Sequence, residues 1–218
     1  MIYYECAGYG SSEPGPILRS GLQVVRELNT LLKNAGEKGP YVLVGHSLGG
    51  LNMMIYADQF PKQTAGLVLL DPSPLAFLQG KKFSGLYQLF HEQTAYFREL
   101  AKNAAQTEDP SERARENFYL AIASEHESLL SDTADRLATI QTFGDLPLVV
   151  IGSEKPNPAF QADAEAFQQF WIEENRTLSQ ESTRGEYILA TGTSHATMYT
   201  EAPQVVLDAI MKVIQQAQ

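Results

Sequence analysis

A short apolar run, Tyr41-Val42-Leu43-Val44, leads without a break into Gly45-His46-Ser47-Leu48-Gly49-Gly50, and a helical pattern follows from Leu51 to Phe60. A buried strand that turns at once into a helix through G-x-S-x-G is compatible with few backbones. The turn is sharp enough to force the serine into a strained conformation. Side chains at Gly45 and Gly49 are expected to collide with neighbouring backbone. Such an elbow holds the Ser47 hydroxyl out at the top of a sheet. It also opens a helix whose first N–H groups, Leu48's among them, can face an oxyanion. Adjacent residues on a tight elbow point apart, so His46 reads as a wall of a substrate site and not as a base.

Short apolar runs alternate with helical patterns through much of the chain. Residues 2–5 read as a strand, 8–16 as a Gly/Pro/Ser loop, and 18–33 as a helix with Leu22, Val25, Leu28 and Leu32 on one face. Further strands are read at 42–44, 66–70, 146–151 and 187–190, and further helices at 160–178 and 202–214. Strands alternating with helices predict an α/β fold, a mostly parallel sheet with helices on both faces. Residues 72–145 break the alternation. They hold no convincing strand, and their aromatics (Phe83, Tyr87, Phe90, Tyr96 and Phe97 among them) fall at helical spacings. A helical cap or lid inserted between two strands fits this stretch, with residues 1–71 and 146–218 forming the core. Phe83 and Tyr87 are the candidates for an apolar wall over Ser47.

Composition narrows the function classes. The 218 residues are 44% hydrophobic and 19% charged, as a soluble globular chain is, and the formal charge is −10 with no Lys/Arg run, which argues against nucleic acid as a partner. One cysteine, Cys6, excludes an intramolecular disulfide framework and a cysteine zinc site. No basic, apolar leader opens the chain and no apolar segment is long enough to span a membrane, so a cytoplasmic protein is the expectation.

A serine hydroxyl needs a general base, most often histidine. His91 and His126 lie in the insertion beside Glu92, Glu125 and Glu127 and read as solvated surface residues. His195 follows the strand at 187–190 through the small-residue loop Thr191-Gly192-Thr193-Ser194. Sites in such sheets lie beyond the carboxyl ends of the strands, which is where Ser47 and His195 both fall. A carboxylate should orient the imidazole, in the chain order serine, acid, histidine. Asp71 closes the run Leu67-Val68-Leu69-Leu70, and Glu154 follows Val149-Val150-Ile151-Gly152-Ser153. Asp71, directly on its strand end, is favoured; Glu154 is the alternative.

Gly8-Tyr9-Gly10-x-Ser12, the elbow and its strand, Gly66 to Asp71, Leu146 to Val150, and Ser194-His195 followed by Pro203-Gln204-Val205-Val206 occur in an order that resembles the α/β-hydrolase family, especially its capped esterase-like and lipase-like branch. The resemblance covers nearly all of the chain outside the insertion. It implies a Ser47 nucleophile, a His195 base, cleavage of small or medium carboxylic esters through an acyl-enzyme, and neither cofactor nor metal. Lactones, amides, thioesters and certain C–C bonds yield to the same triad. Branches that open epoxides or dehalogenate carry aspartate at the nucleophile position. Much of the family takes its acid at the place occupied here by Lys155, one residue past Glu154, and this points to the branch whose acid comes one strand sooner, at Asp71. Glu5-Cys6 stands where the family often has Asp-Arg.

The resemblance also implies about three strands before residues 2–5, the last leading to a His-Gly loop that supplies a second oxyanion N–H. Met1 comes after that point. A second donor is not identified by the sequence, and residues 7–11 are a candidate source. Two further expectations follow: a homo-oligomer that completes its sheet through an exposed edge, or a truncated, catalytically impaired relative that acts as a binding module.

Overall fold

The four apolar runs after residue 40 form one sheet in the computed structural model, which describes residues 1–218: β1 (Tyr41–His46), β2 (Thr64–Leu70), β3 (Leu148–Lys155) and β4 (Gly185–Ser194). The strands lie side by side in chain order, every pair parallel. The helices are α1 (Gly21–Asn34), α2 (Leu48–Gln59), α3 (Leu75–Leu78), α4 (Ser84–Gln106), α5 (Pro110–Arg113), α6 (Glu116–Leu129), α7 (Asp132–Leu137), α8 (Ala164–Ser179), α9 (Met198–Glu201) and α10 (Pro203–Gln216). Parallel neighbours need a crossover, which α2 supplies between β1 and β2 and α8 between β3 and β4. The helix read at 160–178 starts later than expected. Pro158–Asp163 form a 3₁₀ turn, and Gln161 at φ 49° breaks it from α8.

β2 and β3 are central and buried on both faces, which is why their sequences are continuous apolar runs. Val68, Leu70, Val149 and Ile151 pack with Ala190, Met198, and Ala209 and Val213 of α10. Leu67, Leu69, Leu148 and Val150, which alternate with them, are also inaccessible. Deleting three side-chain carbons from such a site leaves a cavity, so Ile151→Ala should cost about 2–5 kcal/mol. A lowered urea midpoint with an unchanged slope checks it. β1 hydrogen-bonds on one side only, and Val44, at its centre, is 40% exposed. It is an open sheet edge. No helix is long and apolar enough to cross a membrane.

The chain divides into two units, one of residues Leu28–Leu75 and Leu137–Gln218, the other of Met1–Glu27 and Ala76–Arg136. The first holds the sheet. In the second, α4 packs along α6. The amino-terminal segment groups with these helices, in place of the sheet to which its sequence pattern assigned it, and buried and half-buried polar bonds tie it there. The Arg19 side chain, 2% exposed, pairs with Glu125 at 2.9 Å and with Glu27 at 3.3 Å. Its backbone N–H donates to Ser124 Oγ at 2.9 Å, and the Tyr9 hydroxyl donates to Glu125 Oε2 at 2.7 Å.

Residues 2–5, expected as a strand, are irregular, and Tyr3 is 88% exposed. The pattern suited a strand, but no neighbouring strand takes up its backbone groups. His126 corrects another expectation. It is half-buried, stacked on Phe90 at 4.7 Å with planes 4° apart, and burial lowers its pKa. A flanking Glu on each side did not reveal that its own helical face meets α4. His91 is exposed, as its neighbours suggested.

Candidate active site

The elbow is built by strain in one residue and space at another. Ser47 sits at φ 54°, ψ −124°, a backbone region that costs a non-glycine residue about 1–3 kcal/mol. Ladder bonding holds it there: its N–H donates to Leu70 O at 2.9 Å, one residue beyond β1, while its carbonyl accepts from Gly50 N–H at 3.0 Å. A Cβ at Gly45 would lie 2.5 Å from the Gly49 carbonyl carbon and 2.6 Å from Gly50 N. Gly45→Ala therefore drives backbone into backbone and should destabilise the fold by at least about 1–3 kcal/mol, read as a lowered Tm. Gly49 departs from expectation, since a Cβ there meets nothing within 4 Å. The crowding on the two sides of the turn is one-sided because Gly49 contributes its carbonyl, not its Cα, to the close approach.

Asp71 is anchored in the same way one strand over. Its N–H donates to Ile151 O at 2.7 Å, and its φ of 48° turns the carboxylate away from the line of β2. The carboxylate is buried and well supplied with donors. Ser153 N–H donates to Oδ1 at 3.0 Å, and Ser153 Oγ–H donates to Oδ2 at 2.8 Å. Gln168 Nε2 in turn donates to Ser153 O at 2.8 Å. Asn175 is also buried, and the amide orientation that satisfies both of its ends donates to Pro72 O at 3.1 Å and accepts from Trp171 Nε1 at 3.2 Å.

His195 comes from the loop after β4 and reaches back across the end of β3. Its Nδ1 lies 2.8 Å from Asp71 Oδ2 and its Nε2 lies 3.0 Å from Ser47 Oγ. A carboxylate only accepts, so Nδ1 carries the proton, and Nε2 is left to accept from the Ser47 hydroxyl. The Trp171 ring stands edge-on to the imidazole at 5.6 Å. Thus three residues expected from sequence, Ser47, Asp71 and His195, meet in one hydrogen-bonded line.

Glu154, the alternative acid, does not join that line. Its Oε2 accepts from Gly192 N–H at 2.7 Å, inside an irregular stretch where β4 carries more residues than β3 between paired positions. It shapes the approach to His195 without touching it. Leu48 opens α2, where a helix has no acceptor for its N–H. In the loop expected to hold a second donor, residues 7–11, three N–H groups have partners of their own: Gly8 N–H donates to Glu13 O, Tyr9 N–H to Cys6 O and Ser11 N–H to Glu5 Oε2. Phe83 and Tyr87 belong to the helical unit. Phe83 starts α4 in a left-handed conformation at φ 53°, and the Tyr87 ring packs edge-on against Phe77 and His91.

His46 Nε2 lies 2.8 Å from the backbone carbonyl of His195, and the two imidazole rings are 4.7 Å apart. Burial first, and then the neighbouring His195, lower the His46 pKa. Sequence reading passed over Ser153 and Gln168 entirely. The one available signal for Ser153 was its place directly after Gly152 at a strand end. No group of three or more His, Cys, Asp or Glu side chains is placed to hold a metal ion.

Chemically, the line can remove the hydroxyl proton as Ser47 Oγ bonds to an electrophilic carbon, while Asp71 stabilises the imidazolium that forms.

Comparison with known proteins places these features in context. A model of the alpha/beta hydrolase family matches residues 2–209. The uncharacterized protein YqjL of Bacillus subtilis (strain 168) is 26% identical over 214 residues, 98% of this chain and 72% of that protein. Lipase LipV of Mycobacterium tuberculosis is 53% identical over 49 residues, 22% of this chain and 18% of the lipase. A thermophilic esterase from Thermogutta terrifontis superposes with a TM-score of 0.61 at 17% identity, over 97% of this chain and 78% of that one. An epoxide hydrolase from Bacillus megaterium gives 0.60 at 14% identity, over 96% and 82%.

Proposed function

This chain belongs to the alpha/beta hydrolase family, and from that premise we propose that it is a serine hydrolase cleaving small or medium carboxylic esters through an acyl-enzyme. The observation that carries the reading is the unbroken line Ser47 Oγ, His195 Nε2, His195 Nδ1, Asp71 Oδ2. In the first half-reaction Ser47 Oγ adds to the ester carbonyl as His195 Nε2 takes its proton. The Leu48 N–H donates to the resulting oxyanion. Collapse breaks the bond to the alkoxy oxygen, which leaves with the proton from His195. Water then repeats the sequence on the acyl-enzyme and returns Ser47 to its hydroxyl form. A hydroxyl at position 47, paired with a base, suits acyl transfer better than epoxide opening, which the Bacillus megaterium relative performs.

The test is covalent. A fluorophosphonate probe should phosphonylate Ser47 with loss of fluoride, and peptide mass mapping should place the adduct on that residue alone. p-Nitrophenyl acetate and butyrate should turn over, with pre-treatment by the probe abolishing the signal. A folded protein that takes up no probe and releases no nitrophenolate overturns the reading and leaves a hydrolase-like binding module in its place.

A further inference from the structure

Resting on the hydrolase reading above, we infer that His46 is a positioning residue: its ring N–H ties the backbone of the base to the residue next to the nucleophile. The partner of His46 Nε2 is the carbonyl oxygen of His195, at 2.8 Å. A carbonyl cannot donate, so the neutral ring must carry its proton on Nε2. The lowered pKa favours that neutral ring.

The bond closes a short circuit. From Ser47 the chain steps back one residue to His46. The His46 ring then reaches the main chain of His195, and the His195 side chain returns to Ser47 Oγ at 3.0 Å. The loop bearing His195 holds itself together locally, with Ser194 N–H donating to Thr197 Oγ1 at 3.0 Å and Thr197 N–H to Ser194 O at 3.1 Å. Those bonds set the shape of the loop but do not link it to β1. Asp71 fixes the orientation of the His195 ring. His46 fixes where its backbone stands. Because His46 and Ser47 share a peptide bond, a shift of the elbow carries the base with it, and the distance that governs proton transfer is preserved. The Tyr199 ring also packs edge-on to the His46 imidazole, at 5.7 Å.

A wall of the substrate pocket and a positioning residue answer differently to substitution. His46→Phe keeps a ring and removes the N–H; His46→Gln removes the ring and keeps an N–H donor. With p-nitrophenyl butyrate, His46→Phe should lose about tenfold to a hundredfold in kcat with KM within about threefold of wild type. Its rate of fluorophosphonate labelling should fall in parallel, and His46→Gln should recover most of the loss. A wall gives the opposite pattern, with His46→Phe close to wild type and His46→Gln raised in KM; that result overturns the inference while leaving the hydrolase reading intact.

A second measurement needs neither turnover nor a folded variant. In the full wild-type chain, ¹⁵N-resolved NMR of the His46 imidazole at neutral pH should show the Nε2-protonated tautomer with a proton protected from exchange. A proton on Nδ1, or rapid exchange at Nε2, overturns the inference whatever the activity. Absence of wild-type turnover and labelling with the protected Nε2 proton present would instead count against the hydrolase reading alone.

Discussion

Ser47→Ala should lower turnover of p-nitrophenyl esters by about 10⁴- to 10⁶-fold, nearly all of it in kcat. The substitution removes one oxygen atom and the acyl-enzyme with it. The Leu48 N–H and the His195 imidazole stay in place, and they can still assist direct attack by water, which sets the floor. Stability should hardly change, because alanine at φ 54° is as strained as serine. Ser47→Gly provides the companion measurement. Glycine relieves about 1–3 kcal/mol of backbone strain but loses about 0.5–1 kcal/mol more conformational entropy on folding, so this variant should be inactive and about 1 kcal/mol more stable. Ester turnover in Ser47→Ala within tenfold of wild type would remove Ser47 from the chemistry.

Asp71→Asn should cost about 10⁴-fold in kcat. The variant retains size and shape, and Ser153 N–H can still donate to the amide oxygen. The amide nitrogen then faces His195 Nδ1 at the position of Oδ2 and donates to it. The imidazole proton is forced onto Nε2, which points at Ser47 Oγ and can no longer accept. Both the tautomer and the stabilisation of the imidazolium are lost. Glu154→Gln is the control. Glu154 bonds Gly192 N–H and an amide oxygen can do the same, so its activity should stay within about twofold of wild type. A collapse of rate in the glutamine variant, with Asp71→Asn near wild type, would reverse the assignment of the acid.

Much of this site could be read from residues near one another in sequence. The elbow needs only a local pattern, since its strand, turn and helix are contiguous. The strands at residues 66–70 and 146–151 announced themselves because central parallel strands are apolar on both faces. The amino-terminal segment was misread for the converse reason. Residues 2–5 have the composition of a strand, but a strand is defined by its neighbour. Polar contacts of Arg19 and Tyr9 with Glu125, distant in sequence, decided where the residues after them pack.

His126 shows the same limit in a helix. Charged neighbours at i−1 and i+1 lie on other faces and say little about the face of the histidine itself. Gly49 shows it in a turn: two glycines in one motif carry different constraints, and only the path of the backbone tells which one is crowded.

Residue order by itself singled out Ser47 and His195 as candidates and the run of strands and helices after residue 40 that carries them, because each depends on chemistry or periodicity within a short window. The folded sheet decided between Asp71 and Glu154 as the partner of the His195 ring, and it alone brought His46 to the His195 backbone. Asp71 directly follows β2, Ser153 lies on β3 and His195 directly follows β4, and His46 at the end of β1 meets His195 across the sheet. Hydrogen bonds are short and directional, so partners far apart in the chain are chosen only when strand order and backbone path bring their atoms within about 3 Å.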